Sequence, residues 1–416
     1  MPAEQELFEP AEYLDQQGEG FFSILSKPDG KAKQDSYELG LLPTVIKHID
    51  ENLDTYITQA VFNARNRRAV NMRSVGLLFV DLDTYKNDNL RNRSPEEQAN
   101  LLVNYCGQEG IPAPSIVLFS GRGLQAKWLL DESLGPVSLH DWNEVQLALV
   151  KALETFVSDR AARDISRVLR LDHTTNTKSG ERCRIVYTSS FSDVLARYSF
   201  EEMAEILTDR YIEEPAPSKV KTEPTNSHII RRAQPGFNLK RLNWFRYYDL
   251  QKLWELRGEV PEGYRETTLF WMLNFLLRAE PVKAGEMWAE AEALAKGIDP
   301  QPGWWYKSDL STLYTKAKLF RDGGEVTHAG KTYPTLYTPT NQRLLDTFKI
   351  EPDEERQLLT IISYEEKYRR VVEKRRAAGV QPREEYLKNS LERQRPWEAE
   401  GMSRAWWYEK RRRGEL

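Results

Sequence analysis

The chain has 416 residues, 40% of them apolar and 29% charged, with a net charge of −4. That composition supports two or three packed domains and excludes a disordered chain. No run approaches the ~18 apolar residues of a membrane span, the acidic N-terminus MPAEQELFEP lacks the apolar core of a secretory signal, and two cysteines with five scattered histidines make neither a disulfide framework nor a zinc motif.

A cytoplasmic protein with no membrane partner is therefore expected. The charge is uneven. Ile361–Leu416 holds 15 Lys and Arg against 10 Asp and Glu, so this tail is +5 and the rest is −9. A basic tail on an acidic body points to a nucleic-acid contact at the C-terminal end.

Residues before Asp50 are poorly patterned. Thr55–Phe62 is rich in β-formers and is expected as a strand beside the next one. Between them, Asn63–Arg73 carries Arg65, Arg67, Arg68 and Arg73, read equally as a basic wall near a site or a solvated connector. Val75–Val80 is an apolar run that ends in Asp81-Leu82-Asp83. Strand alternation puts Asp81 and Asp83 on one face. Paired carboxylates at a strand end repel unless a proton or cation neutralises them, and Mg²⁺ or Mn²⁺ with oxygen ligands suits that need. A solvated strand exit is the plainer alternative.

Ser94-Pro95-Glu96-Glu97 starts a helix, with a Ser N-cap, Pro in the first turn and Glu at the capping-box position. A strand Ser115–Phe119, a tight turn Ser120-Gly121-Arg122-Gly123 and a strand Leu124–Leu130 follow. Alternation places Gln125 and Lys127 opposite an apolar back of Leu124, Ala126, Trp128 and Leu130. Such a turn and strand can hold a triphosphate, with Arg122 and Lys127 supplying positive charge; a surface hairpin is the alternative. Asp141–Val157 is amphipathic and delivers Ser158-Asp159, and Arg160–Gly180 is dense in Arg, Asp, Asn and Lys.

The stretch 213–240, rich in Pro, Ser and Thr, is expected as a linker after a domain 1–212. Helical periodicity then marks 241–321, with Ser308 as N-cap of its last helix. A hairpin or connector spans 322–338; its Gly330-Lys331-Thr332 lacks the spacing of a phosphate loop. A basic helical region fills 339–416: a helix over Tyr364–Ala377, another over Arg383–Arg393, then Pro396–Glu400, Gly401 and a Ser403-capped helix. That last pair reads as a helix-turn-helix, with Arg404, Trp407, Lys410 and Arg411 as DNA contacts, or as a solvated charged tail.

The ordered clusters resemble the archaeo-eukaryotic primase superfamily, and within it the RepB-type replication primases and primase-polymerases, over roughly Thr55 to Tyr187. Asp81 and Asp83 match the family's first motif, SGRGLQAKW (Ser120–Trp128) its second, and Val157-Ser158-Asp159 its third. The resemblance implies a mixed α/β primase-polymerase domain followed by a helical domain. Asp81, Asp83 and Asp159 would be catalytic metal carboxylates, with Asp164 the alternative to Asp159. Ser120, Arg122, Gln125, Lys127, Arg167, Arg170, Asn176 and Lys178 would bind nucleotide. It also implies Mg²⁺ or Mn²⁺, NTPs or dNTPs, a single-stranded DNA template and a separate helicase, serving a plasmid or other mobile element. Two departures stand out. Gln125 lies where many relatives carry His, and Asp172-His173-Thr174 replaces the usual Pro-Gly-Thr. A non-catalytic replication initiator or DNA-binding regulator is the contrasting reading.

Overall fold

The structure, a computed structural model, describes residues 8–191, 194–211, 239–322, 324–328, 331–379 and 394–414. Most of the expected linker, Gly330, and the expected helix over Arg383–Arg393 lie outside the described residues. The chain divides into two compact units, Met1–Trp244 with Leu276–Lys283, and Phe245–Phe275 with Ala284–Leu416.

The first unit is a mixed α/β fold built on a ten-stranded, almost wholly antiparallel sheet. Its strands are β1 (Phe21–Ser26), β2 (Lys33–Glu38), β3 (Thr55–Thr58), β4 (Val61–Phe62), β5 (Met72–Leu82), β6 (Ile116–Phe119), β7 (Leu124–Leu134), β8 (Val168–Arg170), β9 (Thr175–Asn176), β10 (Glu181–Arg182) and β11 (Arg184–Thr188). The order β11-β6-β7-β5-β4-β1-β3-β8 runs through the main sheet, with β2 on β1 and a short strand Arg197–Tyr198 parallel to β7; β9 and β10 form a separate ribbon. β5 is central because its apolar run can be covered on both faces: Leu77, Leu78, Phe79 and Val80 have no exposed surface. Residues before Asp50 form β1, β2 and helix α1 (Leu42–Lys47), which their weak alternation did not announce. The expected single strand Thr55–Phe62 is split. Only β4 reaches β5, while β3 pairs with β1 and β8.

Helix α2 (Pro95–Gln108) begins with the full Ser94/Glu97 capping box and packs near β11. Helix α3 (Leu139–Ala152) solves a different problem. β4 ends early, so one edge of β5 lacks a strand partner beyond Ser74. Buried edge groups must be satisfied. Trp142 donates its indole N–H to the Leu77 carbonyl at 2.9 Å, and Gln146 accepts from the Phe79 N–H at 3.2 Å and donates back to its carbonyl. The chain then passes through Val157, which is left-handed at φ 59°, and finishes the edge. The Asp83 N–H donates to the Val157 carbonyl at 3.0 Å and the Asp159 N–H to the Asp81 carbonyl at 2.8 Å. Helix α4 (Phe200–Tyr211) packs on α3.

The remaining helices are α5 (Leu239–Arg257), α6 (Arg265–Ala279), α7 (Met287–Ile298), α8 (Ser311–Arg321), α9 (Asn341–Phe348), α10 (Pro352–Glu355), α11 (Tyr364–Ala377), α12 (Pro396–Ala399) and α13 (Arg404–Arg412), with a hairpin of Glu325–His328 and Lys331–Pro334 between α8 and α9. The N-cap of α8 is Leu310 instead of Ser308, whose carbonyl accepts from Ser311. In the second unit, the Asp249 carboxylate accepts from the N–H groups of Leu359, Thr360 and Ile361 at 2.6 to 2.8 Å, and Arg257 grips Glu354 with two nitrogens. The C-terminal pair does not have the proportions of a helix-turn-helix. α12 is a single turn of four residues, and α13 folds back so that Trp397 and Trp407 bury against each other, rings 6.3 Å apart. Among the described residues, no helix is long and apolar enough to cross a membrane.

Candidate active site

The site is assembled at the end of β5. Asp81 sits directly across from Gln125 on β7, and Phe79 across from Lys127, so these four side chains share a face. The backbone pairing of residues 157–159 onto the open edge of β5 brings Asp159 beside Asp81. The electrostatics register this crowding. The Asp81 carboxyl is pushed up to about 7, first by burial, then by the negative charges of Asp83 and Asp159, with Arg167 and Arg170 opposing. Asp164 does not enter this group. It is tied to Arg167 at 2.9 Å and accepts from the Ser166 hydroxyl.

Among the described residues, no three Asp, Glu, His or Cys side chains converge closely enough to grip a metal ion as they stand. Asp83 instead holds the Lys86 ammonium at 2.5 Å. The donor chemistry still fits a hard divalent cation: oxygen-only ligands, mutual repulsion, and one cationic side chain standing on one of the carboxylates. Beside them the Gln125 side chain is 3% exposed, and its carbonyl oxygen is buried without a hydrogen-bond partner among the described residues.

The Ser120–Gly123 turn approaches from the β6–β7 connection. Ser120 bonds to Gly123 through both backbone and hydroxyl. Both glycines are sterically required. A Cβ on Gly123 would lie 2.2 Å from the Leu82 carbonyl oxygen, and Gly121, at φ +86°, would meet the Asn176 Cβ at 2.5 Å. Asn176 closes the contact by donating to the Ser120 carbonyl at 2.9 Å and accepting from the Lys178 N–H at 3.1 Å. The structure thus brings the second motif, Asn176 and Lys178 together around the end of β5, with the Lys178 side chain exposed. Arg122 is exposed and lies over the Tyr85 ring at 4.1 Å, just past Asp83.

Arg170, on β8, is buried against Tyr56 at 4.8 Å and paired with Asp54 at 2.5 Å. Asp54 also accepts from the Thr177 N–H and hydroxyl, so one carboxylate orients both Arg170 and the Asn176–Lys178 loop. These contacts hold the Asp54 carboxyl below its usual range against the opposing effect of burial.

Two expected contacts are corrected. Lys127 does not face a ligand space: it is fully buried and ion-paired with the equally buried Glu9, with the Tyr13 ring 4.8 Å away. Alternation alone cannot tell an open face from one that a distant segment covers. Trp407 is likewise buried in the α12–α13 contact, and its neighbour Trp406 is the half-exposed ring. Arg404 lies over Trp397, Arg411 over Trp407, and Lys410 on the same helix. Sequence reading passed over Asp54, Tyr56, Tyr85 and Lys86. Lys86 closes the same VDLDTYK stretch that holds both carboxylates; Asp54 belongs to no motif, and only the β3–β8 pairing reveals its role.

No described family profile matches the chain. Over 222 residues it is 31% identical to a replication protein of Clostridium perfringens, a stretch covering 53% of this chain and 49% of that one. The chain therefore spans about half the length of that curated relative. Among solved structures it is similar to the AEP domain of the cyanophage S-2L primase-polymerase, at 20% identity over 45% of this chain and 89% of that one, TM-score 0.33. It is also similar to the catalytic domain of primase RepB′, solved in complex with initiator DNA, at 15% identity over 48% and 91%, TM-score 0.31.

Proposed function

We propose that this chain is a primase-polymerase, a nucleotidyltransferase that makes primers on single-stranded DNA for replication of a plasmid or other mobile element. The carrying observation is the Asp81–Asp83–Asp159 cluster, assembled by the pairing of residues 157–159 with the end of β5, in which burial first, and then the charges of Asp83 and Asp159, push the Asp81 carboxyl up to about 7. Asp81, Asp83 and Asp159 would hold Mg²⁺ or Mn²⁺. The metal, when bound, would supply charge neutralisation at the attacking 3′-hydroxyl and the departing pyrophosphate.

The chain's own residues do the positioning. Arg122, Arg167 and the exposed Lys178 offer cationic donors around the carboxylates, and a nucleoside triphosphate would draw Arg122 off Tyr85 and Arg167 off Asp164. Arg170, held by Asp54 and Tyr56, fixes the wall on the β8 side. Ser120 and Asn176 hold the turn so that its backbone can approach a phosphate. Gln125 stands directly across from Asp81, and its buried carbonyl oxygen has no partner among the described residues and could accept from a bound group. The basic hairpin α12–α13, with Arg404, Lys410, Arg411 and exposed Trp406, would add template contacts. A separate helicase would open the duplex.

The test is primer synthesis on single-stranded DNA with labelled rNTPs or dNTPs and either metal, comparing wild type with Asp81→Ala/Asp83→Ala. Metal-dependent oligomers from wild type alone are expected. No product from wild type under either metal, with salt-sensitive DNA binding intact in both proteins, leaves the non-catalytic initiator reading.

A further inference from the structure

Helix α11 has two faces of opposite character. One is anchored. Glu366 is buried and bridges Arg369 and Arg370, while Arg370 also caps the carbonyls of Glu355 and Leu358. The other is open. Tyr364, Tyr368 and Val371 are 77%, 60% and 41% exposed, although large apolar side chains usually seek cover. Helical geometry of 3.6 residues per turn puts them on one stripe with Lys367, Lys374 and Arg375. The same arithmetic puts Glu366 and Glu373 on the opposite side and Glu365 on the flank, so the stripe carries no acid. None of its six side chains has a hydrogen bond or ion pair among the described residues.

An open arc of two aromatic rings interleaved with three cations suits one class of partner. Rings stack on unpaired bases, and cations beside them track the phosphate chain. A duplex offers no base faces to the rings, and a protein partner of acidic character would leave them without base faces to stack on. We propose that the Tyr364–Arg375 face of α11 is a single-stranded nucleic-acid platform, distinct from the α12–α13 hairpin. The proposal rests on the template-using reading above. It adds where the unpaired strand lies: along α11, with Tyr364 and Tyr368 one turn apart and each stacking on a base.

The experiment is fluorescence anisotropy of a labelled oligo-dT with the full chain across a salt series. Tyr364→Ala/Tyr368→Ala should weaken binding about tenfold or more, with little change in salt slope. Tyr364→Phe/Tyr368→Phe should bind as wild type, because stacking uses the ring. Lys367→Ala/Lys374→Ala/Arg375→Ala should lower the salt slope by about 2. Duplex of the same length should discriminate little between wild type and the tyrosine variants. All these side chains are exposed, and circular dichroism confirms the fold of each variant.

Unchanged oligo-dT affinity in the alanine tyrosine variant overturns the platform. So does sedimentation showing that wild type is a dimer which that variant splits, since the face would then join two copies of the chain. The failures separate cleanly: a protein that makes no primers yet loses oligo-dT binding on Tyr→Ala keeps the platform and sinks the polymerase reading. One that makes primers with unchanged binding does the reverse.

Discussion

Lys127 illustrates what a residue's surroundings do to its meaning. On β7 it reads as a phosphate-binding cation, yet it forms a fully buried ion pair with Glu9. Burial pushes the Glu9 carboxyl up, and Lys127 opposes the shift. Removing one member of such a pair strands the other in an apolar interior. Lys127→Ala should therefore cost about 3–5 kcal/mol of stability, read from urea unfolding midpoints, while Lys127→Met/Glu9→Leu should recover most of it. A Lys127→Ala protein of wild-type stability with raised KM for nucleotide would restore the ligand role instead. The convergence of Asp81, Asp83 and Asp159 was legible because the first two belong to a strand-end pattern and the third to a familiar motif. Asp54, Tyr56 and Tyr85 were not, because their partners are set by the pairing of distant strands. In α13 one of two adjacent tryptophans faces inward, and the sequence Trp406-Trp407 does not say which; the structure buries Trp407 and leaves Trp406 half exposed.

At the scale of elements, α3 does two jobs. Its side chains finish the open edge of β5, and its end delivers Asp159. Its first turn is docked through His140, whose ring meets Trp244 of α5 edge-on at 5.8 Å. Burial, then the charges of Lys240 and Arg241, push the His140 imidazole down to about 4. The unfolded chain binds this proton near pH 6.5 and the folded chain only near pH 4, so protonation favours unfolding between those values. Stability from this group is full above pH 6.5 and is lost as pH falls toward 4, by up to about 3 kcal/mol. Thermal melts from pH 7 to 4.5 should show a smaller fall for His140→Gln than for wild type; identical falls would place the acid sensitivity elsewhere. Strong local signals made elements legible: the capping box of α2 and the basic helix expected over Tyr364–Ala377 matched the structure closely. β1 and β2 were missed because half-exposed strands of mixed polarity carry little periodic signal, and Thr55–Phe62 was joined because nothing local marks the break at Gln59-Ala60.

At the scale of the whole molecule, we propose that three carboxylates from two distant parts of the chain form one metal-dependent centre. Asp159 is its least local member, since it reaches Asp81 only through the pairing of residues 157–159 with β5. Asp164, five residues on, has the same chemistry but belongs to Arg167. Loss of a catalytic carboxylate removes transition-state stabilisation without unfolding the chain. The most direct measurement is Mn²⁺-dependent primer synthesis on single-stranded DNA by wild type, Asp159→Asn and Asp164→Asn, with equal unfolding midpoints as the control. A metal-dependent Asp81–Asp83–Asp159 centre predicts a loss of about 10²-fold or more for Asp159→Asn and activity within a few-fold of wild type for Asp164→Asn. Full activity in Asp159→Asn, or an inactive but folded Asp164→Asn, would contradict it.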